Sequence, residues 1–351
     1  MELSVLRGLM QDPADFSELT GWIREGRLNP RDILAILGKT EGNGGQNDFT
    51  RELATVACRQ ALAENSSEAD VMLSFSGGTE GVITPHYWVF SHHGSWPLNP
   101  NPEKRLAAAR GQTRRFAPHE VGTLAMVEET ARVVRQLLDD ARIHPQDVHF
   151  VHIKGALPSR VSGEYPRNTM AYARGASALG VAVALGEIAP EKIHEDAILR
   201  DWTLYSSRAS TSAKPGVERS DILVLGNSPW WSGSLVSDHT VMRDMLDLES
   251  VKKTLSRWGV TGCPLTPAEQ ERVVAVFAKA EADPQNSLRG FRHTMRTDDD
   301  ISETRYARCV IGSVLAGFMQ SPFIYVSTRA EHHGPPGGGP VALILAVPKA
   351  G

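Results

Sequence analysis

Three lysines end short strand-like runs in this chain. Lys39 closes residues 32–39, Lys154 closes 147–154 and Lys279 closes 272–279, each with branched or aromatic residues at strand spacing. Three serines follow second runs. Ser76 comes after Val71-Met72-Leu73-Ser74-Phe75, Ser327 after Phe323-Ile324-Tyr325-Val326, and Ser212 after the Ser/Ala-rich stretch 206–211. Between each lysine and its serine an arginine opens an apolar, helix-like stretch: Arg51, Arg174 and Arg305. A serine hydroxyl is a weak nucleophile at neutral pH and needs a base. A lysine serves if burial and neighbouring positive charge depress its pKa, and serine–lysine is an established variant of the serine–base arrangement. A site gathering these lysines and arginines supplies that positive surrounding. Gly77 and Gly78 let backbone N–H groups approach a carbonyl oxygen and the oxyanion it becomes, and the arginines offer fixed donors to further carbonyls. Three such sets suit a small ring bearing several C=O and N–H groups. No G-x-S-x-G elbow is present, so the common α/β-hydrolase route has no support.

One lysine at a strand end is ordinarily just solvated, and one serine in a glycine-rich turn is ordinarily a turn residue. Turn chemistry does not require lysine, arginine and serine in the same order three times. The residues after each serine also rhyme: Ser76-Gly77-Gly78-Thr79-Glu80, Ser212-Ala213-Lys214-Pro215-Gly216-Val217-Glu218 and Ser327-Thr328-Arg329-Ala330-Glu331. Residues 131–138 and 251–258 read as helices ahead of their lysine runs. Closing strands follow at Tyr87-Trp88-Val89-Phe90, Asp221-Ile222-Leu223-Val224-Leu225 and Val341-Ala342-Leu343-Ile344-Leu345. Each repeat therefore reads helix, strand, Lys, loop, Arg-helix, strand, Ser, strand. The expected organisation is an α/β fold of three homologous units, 1–99, 106–245 and 249–351, with boundaries in 97–102 and 245–249.

The bulk numbers narrow the function. The 351 residues are 41% hydrophobic and 22% charged, an ordinary globular composition, and a net charge of −4 gives no basic surface for nucleic acid or an anionic membrane. Cys58, Cys263 and Cys309 form no CxxC pair, which fits a reducing cytoplasm. The start has no basic segment leading into an apolar stretch, and no apolar run reaches the roughly 18 residues a bilayer span needs. The partner expected is a small molecule, in the cytoplasm.

Longer motifs carry a resemblance. Gly38-Lys39-Thr40-Glu41-Gly42-Asn43-Gly44 with Asn47-Asp48-Phe49-Thr50-Arg51, Ser76-Gly77-Gly78-Thr79-Glu80-Gly81-Val82 with Pro85-His86, Arg174-Gly175-Ala176-Ser177-Ala178-Leu179-Gly180, Lys279-Ala280-Glu281-Ala282, and Ala330-Glu331-His332 with Gly337-Gly338-Gly339-Pro340 together resemble the cyanuric acid hydrolase/barbiturase family over nearly the whole chain. The resemblance implies the pseudo-threefold Toblerone fold with its active site at the centre, and hydrolytic ring opening of a cyclic amide: cyanuric acid to carboxybiuret, or barbituric acid to ureidomalonate. It implies Ser212 as nucleophile and Lys154 as base, with Arg51, Ser76, Gly77, Arg174, Ala213, Arg305, Ser327 and Thr328 holding the ring. Lys39 and Lys279 would orient and activate the serines of their own repeats. It also implies a homotetramer, no cofactor for catalysis, and a structural Mg²⁺ or Ca²⁺ near the C-terminal glycine loop, at Glu281 with Ala330, His333 and Gly334.

The chain departs from the family pattern at several points. Ser327-Thr328-Arg329 replaces a third Ser-Gly-Gly, Lys214-Pro215 is a two-residue insertion after Ser212, and Gly155-Ala156-Leu157-Pro158-Ser159 replaces a Cys-Pro-Leu-Leu-Thr run. Gly45 stands where cyanuric acid hydrolases commonly have cysteine, and His333 where the family usually has glutamine. These changes break the symmetry of the site and suit a ring less symmetric than cyanuric acid. The alternatives are an amidohydrolase for a different cyclic amide, a non-catalytic small-molecule binder, and a structural subunit, which would need neither Lys154 nor Ser212. Weaker signals remain. His92-His93 and His332-His333 lack the spacing of a catalytic zinc site. Asp298-Asp299-Asp300 is expected to cap the helix carrying Arg305, and Trp230-Trp231 either to line a pocket or to pack at an oligomer interface, the interface being favoured.

Overall fold

A computed structural model describes residues 1–45, 47–64, 70–159 and 165–347. The lysine runs are strands because they are β-branched and apolar, and they are nearly continuous in burial because both faces are covered. These are β2 (Ile33–Thr40), β6 (Val148–Leu157) and β10 (Val273–Ala280). The serine runs form β3 (Met72–Gly77), β7 (Ala209–Pro215) and β13 (Ile324–Thr328). The closing strands are β4 (His86–His93), β8 (Asp221–Ser228) and β14 (Gly339–Ala346). Three further strands begin the units: β1 (Glu2–Leu9), β5 (Arg105–Gln112) and β9 (Leu235–Met242). A short hairpin, β11 (Ser287–Leu288) and β12 (Phe291–Arg292), lies in the third unit.

Three four-stranded sheets result, ordered β1-β4-β2-β3, β5-β8-β6-β7 and β9-β14-β10-β13. In each, the lysine strand is parallel to the serine strand and antiparallel to the closing strand. A parallel pair needs a crossover, and a helix supplies it. The crossover helices are α2 (Thr50–Ala63), α4 (Met170–Ala184) and α7 (Glu303–Met319), which carry Arg51, Arg174 and Arg305. Helices α1 (Ser17–Arg24), α3 (Leu124–Ala141) and α5 (Leu248–Ser256), with the single-turn-and-a-half α6 (Pro267–Arg272), precede the lysine strands.

The three units, A, B and C in chain order, share one core. Phe277 of unit C is its hub. Its ring lies 5.1 Å from Trp88 of unit A, 4.8 Å from Phe150 of unit B and 5.5 Å from Tyr325 of its own unit. Aromatic groups at such separations bury the seams between units.

The expected architecture of three α/β units is present, with two revisions. Each unit begins with a strand that the sequence reading omitted. β9 pairs along its length with β14, so the third sheet starts at Leu235, ahead of the 245–249 boundary and inside the expected second unit. Trp231 is a core residue, donating its indole N–H to Ala141 O at 2.9 Å, while half-buried Trp230 stacks under Arg142.

Candidate active site

Strand register performs the first positioning step. Lys39 pairs with Ser76, Lys154 with Ser212 and Lys279 with Ser327. Paired residues of adjacent strands project to the same face, so each lysine lies beside its serine. The second step crosses between units. Lys39 Nζ donates to Val326 O at 2.8 Å, Lys154 Nζ to Phe75 O at 3.2 Å and Lys279 Nζ to Thr211 O at 2.6 Å. Every acceptor is the residue just before a serine of the neighbouring unit. The lysines thus tie A to C, B to A and C to B.

The three pairs then diverge. Lys279 Nζ reaches Ser327 Oγ at 2.9 Å and Thr328 O at 3.1 Å, and Lys39 Nζ reaches Ser76 Oγ at 3.4 Å and Gly77 O at 3.2 Å. Both ammonium groups are therefore fully surrounded by acceptors. Among the described residues, Lys154 Nζ donates to Phe75 O alone, and Ser212 Oγ turns to donate to Ile153 O at 3.2 Å. Lys154 is the lysine with hydrogen-bonding capacity left for another molecule.

All three lysines are buried, and burial is the main cause of their depressed pKa values. Lys154 is brought down to about 7, with the Arg51 and Lys214 charges adding to the effect. Lys279 is also lowered to about 7, with Arg174 contributing. Lys39 falls well below the usual range, burial again leading and Arg308 next. A lysine near 7 is neutral for a large share of the time at physiological pH, which is what a general base needs.

A cavity of about 1040 Å³ opens over these strands. All the nominated ring-holding residues line it, Arg51, Ser76, Gly77, Arg174, Ala213, Arg305, Ser327 and Thr328, together with Lys154, Ser212 and Lys279. Lys39 does not; it is fully buried behind Ser76. Arg329 lines the cavity too, with an ion pair to Glu303 at 3.5 Å.

The arginines owe their aim to residues the sequence reading left without a role. Arg174 is clamped by Glu331 in two bonds of 2.7 and 2.6 Å, both residues buried, across the B–C seam. Arg308 is clamped by Glu80 in two bonds of 2.8 and 2.7 Å across the A–C seam, and Arg305 leans on the same carboxylate at 3.3 Å. Asp48 accepts from Gly44 N–H at 2.8 Å and Thr50 N–H at 3.1 Å, and stands 3.6 Å from Arg51 Nε. Glu80 and Glu331 sit in the rhyming segments, which was the available signal. The third rhyme fails: the two extra residues carry Glu218 out to an exposed pair with Arg115.

Gly78 does not turn its N–H to the cavity. Gly78 N–H is already donated to Thr40 O at 2.8 Å. At Gly78, φ is +105° and a Cβ would meet Arg308 Nε at 2.2 Å, so glycine is required by backbone shape and by the guanidinium beside it. Asp298, expected to cap α7, instead accepts from Asp300 and Ile301 N–H in the turn before it, and the N-cap is Ser302.

Of the residues nominated for a structural cation, Glu281 fits. It is partly buried and accepts one bond, from Ala330 N–H at 3.2 Å, while burial and the nearby Glu331 carboxylate raise its pKa. A carboxylate so placed suits a hard cation with oxygen ligands. The His333 ring does not fit. Its Nδ1 bonds Glu331 O at 2.6 Å and its Nε2 accepts from Thr211 N–H at 2.9 Å, so both nitrogens are occupied, and Ala330, His333 and Gly334 have only backbone oxygens to offer. His332 is equally committed, to Leu204 O and Leu199 N–H. Among the described residues, His149, Asp238 and His239 lie close enough to share an ion. Arg208 donates to His239 Nε2 and Arg257 saturates Asp238, so that cluster already has its cations.

Comparison with known proteins finds relatives along nearly the whole chain. The family described as "Amidohydrolase ring-opening protein" matches residues 4–346. A cyanuric acid amidohydrolase of Bradyrhizobium diazoefficiens is 44% identical over 365 residues, covering 97% of each chain. A cyclic amide hydrolase of Azorhizobium caulinodans is 42% identical, covering 98% of this chain and 100% of that one. A solved cyanuric acid hydrolase structure superposes with a TM-score of 0.90 at 39% identity, covering 99% of both chains.

Proposed function

Since the chain belongs to the ring-opening amidohydrolase family, we propose that it hydrolyses a C–N bond of a cyclic ureide or imide of the cyanuric or barbituric acid type, with Ser212 as nucleophile and Lys154 as base. The observation that carries this reading is the incomplete bonding of Lys154: among the described residues it has one acceptor where Lys39 and Lys279 each have three. Ser212 Oγ rotates from Ile153 O toward Lys154 and gives it a proton as the Oγ–C bond forms at a ring carbonyl. The carbonyl electrons move onto oxygen, then return as the ring C–N bond breaks, and Lys154 returns the proton to the departing nitrogen. Water, deprotonated by Lys154, cleaves the acyl-serine and restores the hydroxyl. Arg51, Arg174 and Arg305 face the remaining carbonyls of the ring as charged donors.

Thr328 and Arg329 in unit C and Lys214-Pro215 in unit B make the three faces of the cavity unequal, which favours a ring less symmetric than cyanuric acid. The family resemblance also supports a homotetramer in the cytoplasm. Phe49, Leu53 and Val56 form an exposed apolar stripe at helical spacing that such an assembly would cover, and light scattering on the purified protein checks the count. No helix among the described residues is long and apolar enough to cross a membrane.

The deciding experiment follows loss of ultraviolet absorbance with cyanuric acid, barbituric acid and a panel of cyclic imides. Turnover of at least one ring, abolished by Lys154→Ala and by Ser212→Ala, is the expected result. Full turnover in either variant, or thermal shifts without turnover across the panel, overturns it.

A further inference from the structure

Two of the three seams between units are closed beside the cavity by an arginine–glutamate clamp, Glu80 with Arg308 for A and C and Glu331 with Arg174 for C and B, both arginines and Glu331 being buried and Glu80 partly so. The B–A seam is built differently. Lys214 and Pro215 lengthen β7, displace Glu218 to Arg115, and put a lysine where the other loops have a glycine and an arginine. Lys214 Nζ spans the seam to Glu52 Oε2 at 2.8 Å, and Glu52 directly follows Arg51 on α2. Side chains alternate along a strand, so Lys214 shares a face with Ser212, and register sets it opposite Ala156, two residues beyond Lys154.

Resting on the Ser212–Lys154 reading above, we propose that Lys214 is a positioning residue for the reaction: with Glu52 it forms a charge-balanced latch that holds the Arg51 helix against the Ser212 strand and sets the electrostatic surroundings of Lys154. The titratable and charged groups around Lys154 are Arg51, Glu52 and Asp48 from α2 and the loop before it, Lys214 from β7, Lys279 from β10 and the neutral His152 on its own strand. Arg51 and Lys214 disfavour protonation of Lys154, whereas Glu52 and Asp48 favour it. While paired, Lys214 and Glu52 offset one another.

The test is the acid limb of kcat/KM against pH, measured with whichever of cyanuric and barbituric acid the wild type opens faster. That limb reports loss of the neutral base as pH falls through the Lys154 pKa. Lys214→Met leaves Glu52 uncompensated, and the limb should move to higher pH; Glu52→Gln leaves Lys214 uncompensated, and it should move to lower pH. Each shift should be about 0.3 to 1 pH unit, the range one charge exerts at a partly buried site. The exchange Lys214→Glu with Glu52→Lys should return the limb to its wild-type position. A purely mechanical clamp lowers the rate in both single variants without moving the limb, and that result, or shifts of the same sign, overturns the proposal. Survival of turnover in Lys154→Ala is a separate outcome: it removes the Ser212–Lys154 reading and the latch with it.

Discussion

Replacing Glu331 by alanine strips a buried guanidinium of its partner. Arg174 and Glu331 are 4% and 8% exposed and joined by two short bonds between units B and C. Breaking such a pair from one side costs about 3–5 kcal/mol, because an uncompensated charge stays in a poorly solvated place. A native state is ordinarily stable by only about 5–15 kcal/mol, so Glu331→Ala should remove a large part of the total. Urea denaturation followed by circular dichroism should show a lower midpoint at unchanged slope. The double variant Arg174→Ala, Glu331→Ala should be less destabilised than the sum of the single variants, since the stranded charge is gone. KM should also rise in Glu331→Ala, because the guanidinium is no longer held toward the cavity. A loss under about 1 kcal/mol, or strict additivity in the double variant, refutes the reasoning that this contact is a buried clamp.

Gly77→Ala places a Cβ 1.6 Å from Asp48 Oδ2 and 2.8 Å from Gly44 N, so thermal melts and rates should show a loss of about 1–3 kcal/mol together with turnover, while Gly21→Ala, with nothing within 4 Å, should be benign. Burial brings His149 down to about 4, and His86, His152 and His239 to about 3. Above pH ~6.5 these groups are neutral in both states and contribute nothing; below it the unfolded chain takes up protons the folded chain refuses, so stability measured in urea should fall steadily from pH ~6.5 toward 4, and a flat profile would contradict the burial. Millimolar Mg²⁺ or Ca²⁺ should raise the melting temperature of the wild type and leave Glu281→Gln unmoved; equal shifts in both would place the cation elsewhere.

What was legible in the sequence was the chemistry that repeats. Lysine, arginine and serine recur in one order, and once two parallel strands are placed side by side, register brings each lysine to its serine without further information. The first strand of each unit was less visible. β5 is alanine-rich, and β1 and β9 mix polar with apolar residues because each is an edge strand with one neighbour. The clamps were invisible as pairs: Arg174 and Glu331 are 157 residues apart, Arg308 and Glu80 228 apart, and only the closed arrangement of units makes them neighbours. The rhyme at Glu218 does not extend to its contacts, because β7 runs on to Pro215 and Glu218, beyond it, pairs with Arg115. The rotation of Ser212 toward Ile153 O depends on a choice between nearby acceptors that spacing does not encode.

The cyclic lysine contacts mean that no unit owns a finished site. A free copy of unit A would carry Lys39 and Ser76 but not Val326 O, and would have to recruit a copy of unit C from solution before its lysine met that acceptor. Joining the units in one polypeptide replaces those encounters with a fixed effective concentration. It also frees each unit from its siblings. In a trimer of identical subunits, a lysine introduced after the serine would appear on all three faces at once; in this chain Lys214 alters one face and Arg329 another, while Gly78 keeps the third unchanged.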